Sequence, residues 1–432
     1  MTVASRRSFL IGSGMAAAGL GAGPVLAQHS TGATSPIRIG CLVSLSGAQA
    51  VLGRPILDGA AIAADQVNEA GGLLGRPVEI VPYDDRADPA VALRGLREMK
   101  GLGVNLLCGV LSSTVGLALA PELQPAGAAL VTCAAASEKL THEAYTPSLF
   151  RVTDETCMRN CAQARLMAER YPHVRRWGAI IPDVEYGASA YASFRAGLRE
   201  AYPARTGRMP ELADPVVAHF GADEFGAGIA ALQADGADGL FIAIYGDDAI
   251  AFYRQASRTP LMRRVAVLAD AVNEFLVPET LGAGCPEHLW LGMTWYYGGY
   301  QGLPLGRQLY REYVKRTGTM MPLGFVNAGH SAVLAYAAAI RRAGATGTAP
   351  VTSALRGLTF DTAKGPVTLR REDNQAVCDV NFIRIRSGVE AGLGSMDGSR
   401  PDMEVAEFVR YDGADVIEPP SPGQPVKYRG QG

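Results

Sequence analysis

Three consecutive hydroxyl residues, Ser112, Ser113 and Thr114, are the side chains best placed to bind a small anion. They stand between an apolar run typical of a strand, residues 105–109, and the start of a helical pattern. Hydroxyl groups and the free amides of a helix N-terminus can converge on a carboxylate at such a junction. Serine and threonine more often cap the helix there, and both roles can coexist. The junction is therefore a candidate site for an anionic group of a ligand.

Patterns that mark catalytic, cofactor or metal sites do not occur in the sequence. The triplets 187–189 and 329–331 each lack the second glycine of the nucleophile elbow of α/β-hydrolases. No phosphate-binding G-K-S or G-K-T run is present. The six histidines are isolated, and the seven cysteines show no zinc-site spacing. We therefore predict no cofactor, no metal and no enzymatic activity; an exported hydrolase is the less favoured alternative.

The hydroxyl junction lies within a regular alternation of short apolar strands and amphipathic helices. In the first part of the chain, predicted strands cover residues 37–43, 78–83, 105–109 and 129–132. A second series of the same kind covers residues 158–268. Strands that alternate with helices in this way form parallel sheets through right-handed crossovers. The sequence predicts an α/β fold of two doubly wound lobes with a ligand cleft between them.

The amino-terminal residues predict export across the cytoplasmic membrane. Ser5-Arg6-Arg7-Ser8-Phe9-Leu10 is similar to a twin-arginine signal, and an uncharged stretch leads from it to the small-residue site at Ala27. We expect residues 1–27 to be a twin-arginine signal peptide that is cleaved after Ala27. The protein would then work in the periplasm.

The overall charge argues against a nucleic-acid partner. The 432 residues carry a formal net charge of −2 at pH 7, the sequence pI is near 6.3, and the lysines and arginines are scattered. Proteins that bind nucleic acid need a concentrated positive field. We therefore expect no nucleic-acid partner. The expected partner is a small-molecule ligand, and the protein is expected to be a monomer.

Longer motifs occur along the chain from residue 36 onward, and the most specific of them are near the amino terminus. The full set of motifs is Ile37–Gly47, Gly71–Val78, Tyr83–Pro89, Gly109–Ser113, Pro182–Gly187 and Gly357–Val367. Together these motifs resemble the leucine/isoleucine/valine-binding family of type I periplasmic binding proteins. That family serves ABC importers of branched-chain amino acids, amides and urea.

The resemblance implies two lobes that are not contiguous in sequence, joined by a hinge that the chain crosses three times. The crossings would lie near Val152, Leu291 and Val377, which periodicity alone could not show. The implied division is residues 36–152 with 292–377 for lobe 1, and residues 153–291 with 378–432, including the carboxyl-terminal tail, for lobe 2.

The resemblance also implies ligand-binding residues in the cleft. Ser113 matches a serine that binds the ligand carboxylate, and the loop 134–137 matches a second carboxylate-binding segment. Asp270 matches an acidic residue that accepts the ligand ammonium, although by its pattern alone it is an ordinary turn residue. Tyr186 matches an aromatic residue that closes the cleft from lobe 2, and Tyr245 ends the next strand; core packing is the rival role for both. The complete candidate set is Leu52, Ser112, Ser113, Ala134, Ala136, Ser137, Tyr186, Tyr245 and Asp270.

Two positions depart from the family pattern. Ala136 stands where amino-acid binders carry a threonine, and Leu52 stands where branched-chain binders carry a tryptophan. The ligand is therefore not simply leucine, and amides, urea and aromatic or other carboxylates stay open. Disulfide pairing, for example between Cys157 and Cys161, also stays open.

We expect the solute-binding component of an ABC importer. It would capture a small amino-acid-like, carboxylate or amide metabolite by hinge closure and deliver it to a permease in the cytoplasmic membrane. The alternative from another class is a clamp that reports its ligand to a receptor or regulator.

Overall fold

The computed structural model describes residues 35–387 and 403–428, so the predicted signal peptide, residues 1–27, lies outside the described part. The first sheet has five parallel strands that alternate with helices, as the periodicity predicts. In chain order the elements are β1 (Ile37–Val43), α1 (Ala50–Glu69), β2 (Val78–Asp84), α2 (Pro89–Gly101), β3 (Leu106–Gly109), α3 (Ser113–Ala126), β4 (Ala129–Thr132) and β5 (Leu149–Arg151). The strand order β2-β1-β3-β4-β5 reverses direction between β1 and β3, which is where α/β sheets form ligand clefts.

A second alternating series follows and forms most of the second sheet. Its elements are α4 (Thr156–Arg170), β6 (Arg176–Pro182), α5 (Glu185–Thr206), β7 (Glu211–Leu212), β8 (Val216–Ala218), α6 (Gly226–Asp235), β9 (Gly239–Ile242), α7 (Asp247–Ala256), α8 (Leu261–Arg264), β10 (Val267–Asp270), α9 (Leu276–Leu281) and β11 (Leu289–Met293). Strands β6, β9, β10 and β11 pair in parallel, in that order.

The last part of the chain contributes helices that pack against α1, a small separate sheet and two strands of the second sheet. Its elements are α10 (Pro304–Thr317), α11 (Phe325–Ala343), α12 (Thr348–Leu355), β12 (Thr359–Thr362), β13 (Gly365–Leu369), β14 (Ala376–Val377), β15 (Val380–Ser387), β16 (Met403–Tyr411) and α13 (Gly413–Val416). Helices α10 and α11 pack against α1, and β12, β13 and β14 form a small antiparallel sheet. Strands β15 and β16 extend the second sheet as antiparallel strands beyond β11.

The predicted fold class of two α/β lobes is confirmed, with one refinement. We call the first lobe the part built on the five-stranded sheet and the second lobe the part built on the eight-stranded sheet. The second sheet is mixed rather than purely parallel, because its last two strands follow each other as an antiparallel pair. The exact residue division between the lobes stays a prediction.

The carboxyl-terminal tail, which the resemblance groups with lobe 2, also bonds to the segment between β4 and β5. The Gly423 amide donates to the carbonyl of His142 at 2.7 Å, and the Tyr428 hydroxyl donates to Glu138 Oε1 at 2.5 Å. Both acceptors precede β5 in the chain. The tail therefore contacts a part of the protein distant from it in sequence.

Helix boundaries follow local chemistry where capping residues are present. The Asp88 side chain accepts hydrogen bonds from the amides of Ala90 at 2.7 Å and Val91 at 3.2 Å, and Pro89 follows it at the start of α2. Helix α1 starts at Ala50, and Pro55 lies inside it. Proline inside a helix removes one amide donor.

Helices α1 and α11 approach each other through glycines. A Cβ atom added to Gly329 would lie 1.9 Å from the carbonyl oxygen of Ile56, and one added to Gly59 would lie 1.9 Å from that of Val326. Both obstacles are backbone atoms of buried helices, which cannot move aside as a flexible side chain can. The two glycines thus set the distance between the helices.

We expect Gly329→Ala to lower the free energy of unfolding by about 2–3 kcal/mol, because overpacking forces the two backbones apart. Gly101→Ala is the control: Gly101 ends α2 and has no atom within 4 Å of its virtual Cβ. Alanine there should raise stability by up to about 1 kcal/mol. Urea unfolding of both variants measures the difference, and equal effects would contradict the close helix contact.

Among residues 35–387 and 403–428, no helix is both long enough and apolar enough to cross a bilayer.

Candidate functional site

A cavity lies between the two lobes, at the carboxyl ends of their strands. Its apolar wall comes from the first lobe and consists of Leu52, Leu111, Cys133, Ala134, Ala136 and Phe325. The facing wall consists of the connection from β5 into α4, residues 153–160, with Tyr186, Tyr245, Val272 and Thr294 beside it. The cavity therefore offers a ligand one apolar face and one polar face.

Hydrogen bonds between the lobes hold the cavity closed on two sides. On one side Gln49 Nε2 donates to the Tyr245 hydroxyl at 2.9 Å, and the Asp247 amide donates to the carbonyl of Ala48 at 3.0 Å. On the other side Ser137 Oγ and Lys139 Nζ both donate to the Glu185 carboxylate at 2.9 Å.

The closed cavity is small. Its volume is about 30 Å³, whereas pockets that hold a metabolite are typically about 300–1,000 Å³. A ligand as large as an amino acid therefore requires the lobes to separate before it can enter.

The polar wall contains buried polar atoms that lack a hydrogen-bond partner among the described residues. They are Thr153 Oγ1, Glu155 Oε1, both amide atoms of Asn160 and the Tyr186 hydroxyl. All four side chains are at most 9% exposed. An unsatisfied buried polar group costs about 1–3 kcal/mol, and such groups gather where a ligand supplies the missing partner. Asn160 is the strongest case because both its donor and its acceptor are unpaired.

The polar wall also carries an ion pair. Arg159 donates to the Asp154 carboxylate from Nε at 2.6 Å and from Nη2 at 2.9 Å. Arg159 Nη2 also donates to Thr294 Oγ1 at 3.2 Å, and Nη1 donates to the carbonyl of Ala271 at 3.4 Å. Burial lowers the pKa of Arg159, but the pairing with Asp154 outweighs it and raises that pKa above its usual range. A guanidinium has five N–H groups, so one on Nη1 stays available beside the cavity.

Other buried carboxyl groups surround this wall. Burial raises the pKa of Glu155, against the opposing effect of Arg151, whose Nη1 lies 3.2 Å from Glu155 Oε2. Burial likewise raises the pKa of Glu274 to about 7. Glu274 Oε1 accepts a hydrogen bond from the amide of Thr294 at 2.6 Å. The polar wall is therefore lined and backed by several acidic groups.

The structure places five of the nine predicted residues on the cavity. These are Leu52, Ala134, Ala136, Tyr186 and Tyr245. The rings of Tyr186 and Tyr245 pack edge to face with centroids 5.3 Å apart. Burial is the main cause that raises the pKa of both hydroxyls, so both stay protonated donors. Their roles in ligand binding stay predictions.

The three predicted serines lie beside the cavity and bond to the protein itself. Ser112 Oγ accepts from the Val115 amide at 3.4 Å, which is the capping role considered from the sequence. Ser113 Oγ accepts from the Ser137 amide at 3.1 Å, and Ser137 Oγ donates to Glu185. In this closed form the serines support the loops around the cavity.

The Asp270 carboxylate is fully engaged by its neighbours. Oδ1 accepts from the amides of Val272 at 3.0 Å and Asn273 at 2.8 Å. Oδ2 accepts from the Tyr253 hydroxyl and from Asn273 Nδ2, both at 2.8 Å. Burial raises the pKa of this group, and the hydrogen bonds oppose that effect. Asp270 thus organises the turn after β10, and it does not line the cavity.

Sequence reasoning missed the polar wall, Thr153 to Asn160. Two signals could have identified it. The first is that these residues directly follow β5, since ligand clefts form at the carboxyl ends of parallel strands. The second is the predicted hinge crossing near Val152, which marks the junction between the lobes.

The described cysteines are all free thiols. Cys157 and Cys161 have their sulfur atoms 3.4 Å apart, and Cys157 Sγ lies 3.4 Å from Glu418 Oε1. The hydrogen bond from Cys161, followed by burial, raises the pKa of Cys157. Neither cysteine lines the cavity, so this cluster is separate from it.

Comparisons with known proteins agree with this architecture. The periplasmic binding protein family profile matches residues 36–390. The Leu/Ile/Val-binding protein BraC3 of Rhizobium johnstonii is 30% identical over 137 residues, which are 32% of this chain and 36% of that protein. The chain thus matches about a third of the length of the first curated relatives.

Longer matches also exist. The leucine-, isoleucine-, valine-, threonine-, and alanine-binding protein of Pseudomonas aeruginosa is 25% identical over 342 residues, which are 77% of this chain and 85% of that protein. A solute binding protein of an ABC transporter from Rhodopseudomonas palustris, solved in complex with 3,4-dihydroxy benzoic acid, superposes with a TM-score of 0.74. It is 16% identical and covers 92% of this chain and 99% of that one, so it shows the shared fold alone. The predicted family is therefore confirmed, and the chain belongs to the periplasmic binding protein family.

Proposed function

We propose that this protein captures a small amphipathic metabolite between its lobes and delivers it to the permease of an ABC importer. The observation that carries the proposal is the pairing of an apolar wall with a polar wall whose buried donors and acceptors have no protein partner. A binding protein needs such groups, whereas a folded core avoids them. Binding without covalent change is sufficient for this role.

Two ligand classes are supported by relatives. The Pseudomonas aeruginosa relative is named for binding amino acids, and the Rhodopseudomonas palustris structure holds an aromatic carboxylate. Both classes combine an apolar body with a charged or polar end, which fits the two walls of the cavity. We propose an amino-acid-like, carboxylate or amide ligand.

Capture would proceed by hinge closure. A ligand that enters the open cleft contacts the first lobe, and closure adds contacts from Tyr186 and Tyr245 in the second lobe. The two sets of hydrogen bonds between the lobes then form, and they include Gln49 to Tyr245. A ligand that binds both walls stabilises the closed state in proportion to its preference for that state. The permease would select this closed form.

We also propose that the protein works in the periplasm after removal of residues 1–27 as a twin-arginine signal. Amino-terminal sequencing of the exported protein, with the Arg6→Lys, Arg7→Lys double variant as a control, tests this proposal. A mature protein that still carries Met1 would contradict it.

Calorimetric titration tests the binding proposal. The protein, freed of co-purified solute by exhaustive dialysis, is titrated with amino acids, amides, urea and aromatic and aliphatic carboxylates. We expect one class to bind with micromolar or tighter affinity and to reduce the radius of gyration in solution. No binding by any member would contradict the proposal.

Replacing Asn160 with leucine should separate binding from stability. We expect ligand affinity to fall at least about tenfold, because one or two ligand hydrogen bonds are lost. Stability should stay equal or rise, because the unpaired buried amide is removed. Calorimetry and urea unfolding measure the two effects.

Asn273→Leu is the matched control. The Asn273 amide donates to the carbonyl of Ile244 and to Asp270 Oδ2, both at 2.8 Å. Its loss should lower the free energy of unfolding by at least about 2 kcal/mol, because buried partners are left unsatisfied. If Asn160→Leu destabilises the protein as much as this control does, Asn160 is a structural residue.

A further inference from the structure

Two thiols and a carboxylate form a compact cluster outside the cavity between the lobes. Cys157 and Cys161 lie on consecutive turns of α4 with their sulfur atoms 3.4 Å apart, and Cys157 Sγ donates to Glu418 Oε1 at 3.4 Å. One ligand atom from each of the three side chains lies within 4.8 Å of the other two. Within residues 35–387 and 403–428, no other three cysteine, histidine, aspartate or glutamate side chains come together in this way.

The separations are close to those between the ligands of a tetrahedral zinc ion. Zn–S bonds of about 2.3 Å and Zn–O bonds of about 2.0 Å place two sulfur ligands about 3.8 Å apart, and a sulfur and an oxygen about 3.5 Å apart. The two observed distances are each 3.4 Å. Small rotations of the side chains are therefore enough to admit the ion between the three ligand atoms.

The backbone that carries the ligands is held in place by its neighbours. A Cβ atom added to Gly197 of α5 would lie 2.8 Å from the Cα atom of Cys161, so the two helices are in close contact at this residue. Arg370 Nη1 donates to the carbonyl of Glu418 at 2.7 Å, which fixes the segment that follows α13. The ligands are thus positioned before an ion arrives, and this lowers the ordering cost of binding.

A groove on the surface leads from solvent to the cluster. It runs between α4, α5 and the segment from α13 onward, and its volume is about 350 Å³. Cys161 and Glu418 both line this groove, so an ion and a water molecule can reach them. Charged side chains of both signs complete the lining: Arg165, Glu169, Glu200, Arg205 and Asp415.

We propose that Cys157, Cys161 and Glu418 bind one zinc ion, with water as the fourth ligand. Two thiolates and one carboxylate suit Zn²⁺, whereas calcium and magnesium take oxygen ligands. The thiols bind as thiolates, so their two protons leave to the solvent when the ion binds. Cysteine spacing gave no sign of this site because the third ligand comes from the carboxyl-terminal segment. The bound ion joins that segment to the start of α4, and the site is independent of the proposed solute-binding function.

Zinc titration of the full chain tests the proposal. The protein is first reduced with a phosphine that does not compete for zinc, and thiol titration confirms the reduced state. We expect one equivalent of Zn²⁺ to stay bound through desalting and to raise the urea midpoint, because the ion binds the folded state. Affinity should increase by more than about tenfold between about pH 6 and about pH 8, since binding releases thiol protons. Co²⁺ at the same site should give a thiolate-to-metal charge-transfer band, which a site of oxygen and nitrogen ligands lacks.

Three variants locate the site. Cys161→Ser should weaken zinc binding at least about 100-fold and reduce the charge-transfer band. Glu418→Gln should weaken binding at least about tenfold and keep the band, because both thiolates remain. Cys378→Ser, which removes a buried thiol outside the cluster, is the control and should bind zinc as the wild type does.

The wild-type protein alone can overturn the proposal, so the test does not depend on the folding of a variant. No retained zinc in the reduced protein, or a cobalt complex without the sulfur band, would overturn it. Undiminished zinc binding by Cys161→Ser would overturn it as well. Solute binding is measured separately on zinc-free protein, so failure of the zinc site and failure of the proposed function are distinguished.

Discussion

Replacing Arg151 with methionine is expected to lower the free energy of unfolding by about 3–5 kcal/mol, the cost of removing one partner from a buried ion pair. Arg151 is fully buried, and its guanidinium bonds to Glu155, Gln375 and the carbonyl of Ser137. These partners belong to the β5–α4 connection, the loop between β13 and β14, and the loop after β4. One side chain therefore ties together two of the connections between the lobes.

The matched control is Arg165→Met. Arg165 and Glu169 form an ion pair with the same spacing of four residues, at 3.1 Å, but the Arg165 side chain is 55% exposed. Solvent screens such a pair, so its loss should cost at most about 1 kcal/mol. Urea unfolding followed by circular dichroism measures both variants. Similar, small losses for the two would mean that Arg151 does not anchor the hinge.

The sequence was most informative about buried parallel strands. The predicted runs 37–43 and 129–132 coincide with β1 and β4, because runs of mainly apolar residues between turn residues leave little choice of boundary. The antiparallel pairing of β15 with β16 could not be predicted in this way. Strand direction depends on where the chain returns, and a periodic pattern carries no such information.

Part of the site was predictable: three residues of the apolar wall and two tyrosines of the facing wall were found, whereas the segment from Thr153 to Asn160 was not. Leu52, Ala134, Ala136, Tyr186 and Tyr245 were found through the family resemblance, which transfers positions residue by residue. The segment from Thr153 to Asn160 leaves β5 and enters α4, and the sequence does not show which of its side chains face the cavity. Whether a carboxylate is saturated, as Asp270 is, or available, as Glu155 is, depends on tertiary neighbours that lie far apart in the chain.

Replacing Gly246 with alanine is expected to weaken ligand binding at least about 100-fold, because it obstructs closure of the lobes. Gly246 precedes α7 in the second lobe with φ +66° and ψ −139°, a conformation open almost only to glycine. A Cβ atom there would lie 2.2 Å from the carbonyl oxygen of Ala48 in the first lobe. The same carbonyl accepts the amide of Asp247 at 3.0 Å, so it cannot retreat without breaking a contact that holds the lobes closed.

A second glycine of the same lobe, Gly236, distinguishes the effect of blocked lobe closure from the effect of local backbone strain. Gly236 has φ +69° and no atom within 4 Å of a virtual Cβ, so Gly236→Ala should cost about 1 kcal/mol of stability and leave affinity unchanged. Affinity falls in proportion to the fraction of protein that can close, so Gly246→Ala should also keep a larger radius of gyration at saturating ligand. Calorimetry and small-angle scattering measure the two quantities. A Gly246→Ala protein that binds and contracts like the wild type would show that the contact between Gly246 and Ala48 is not part of the closed state.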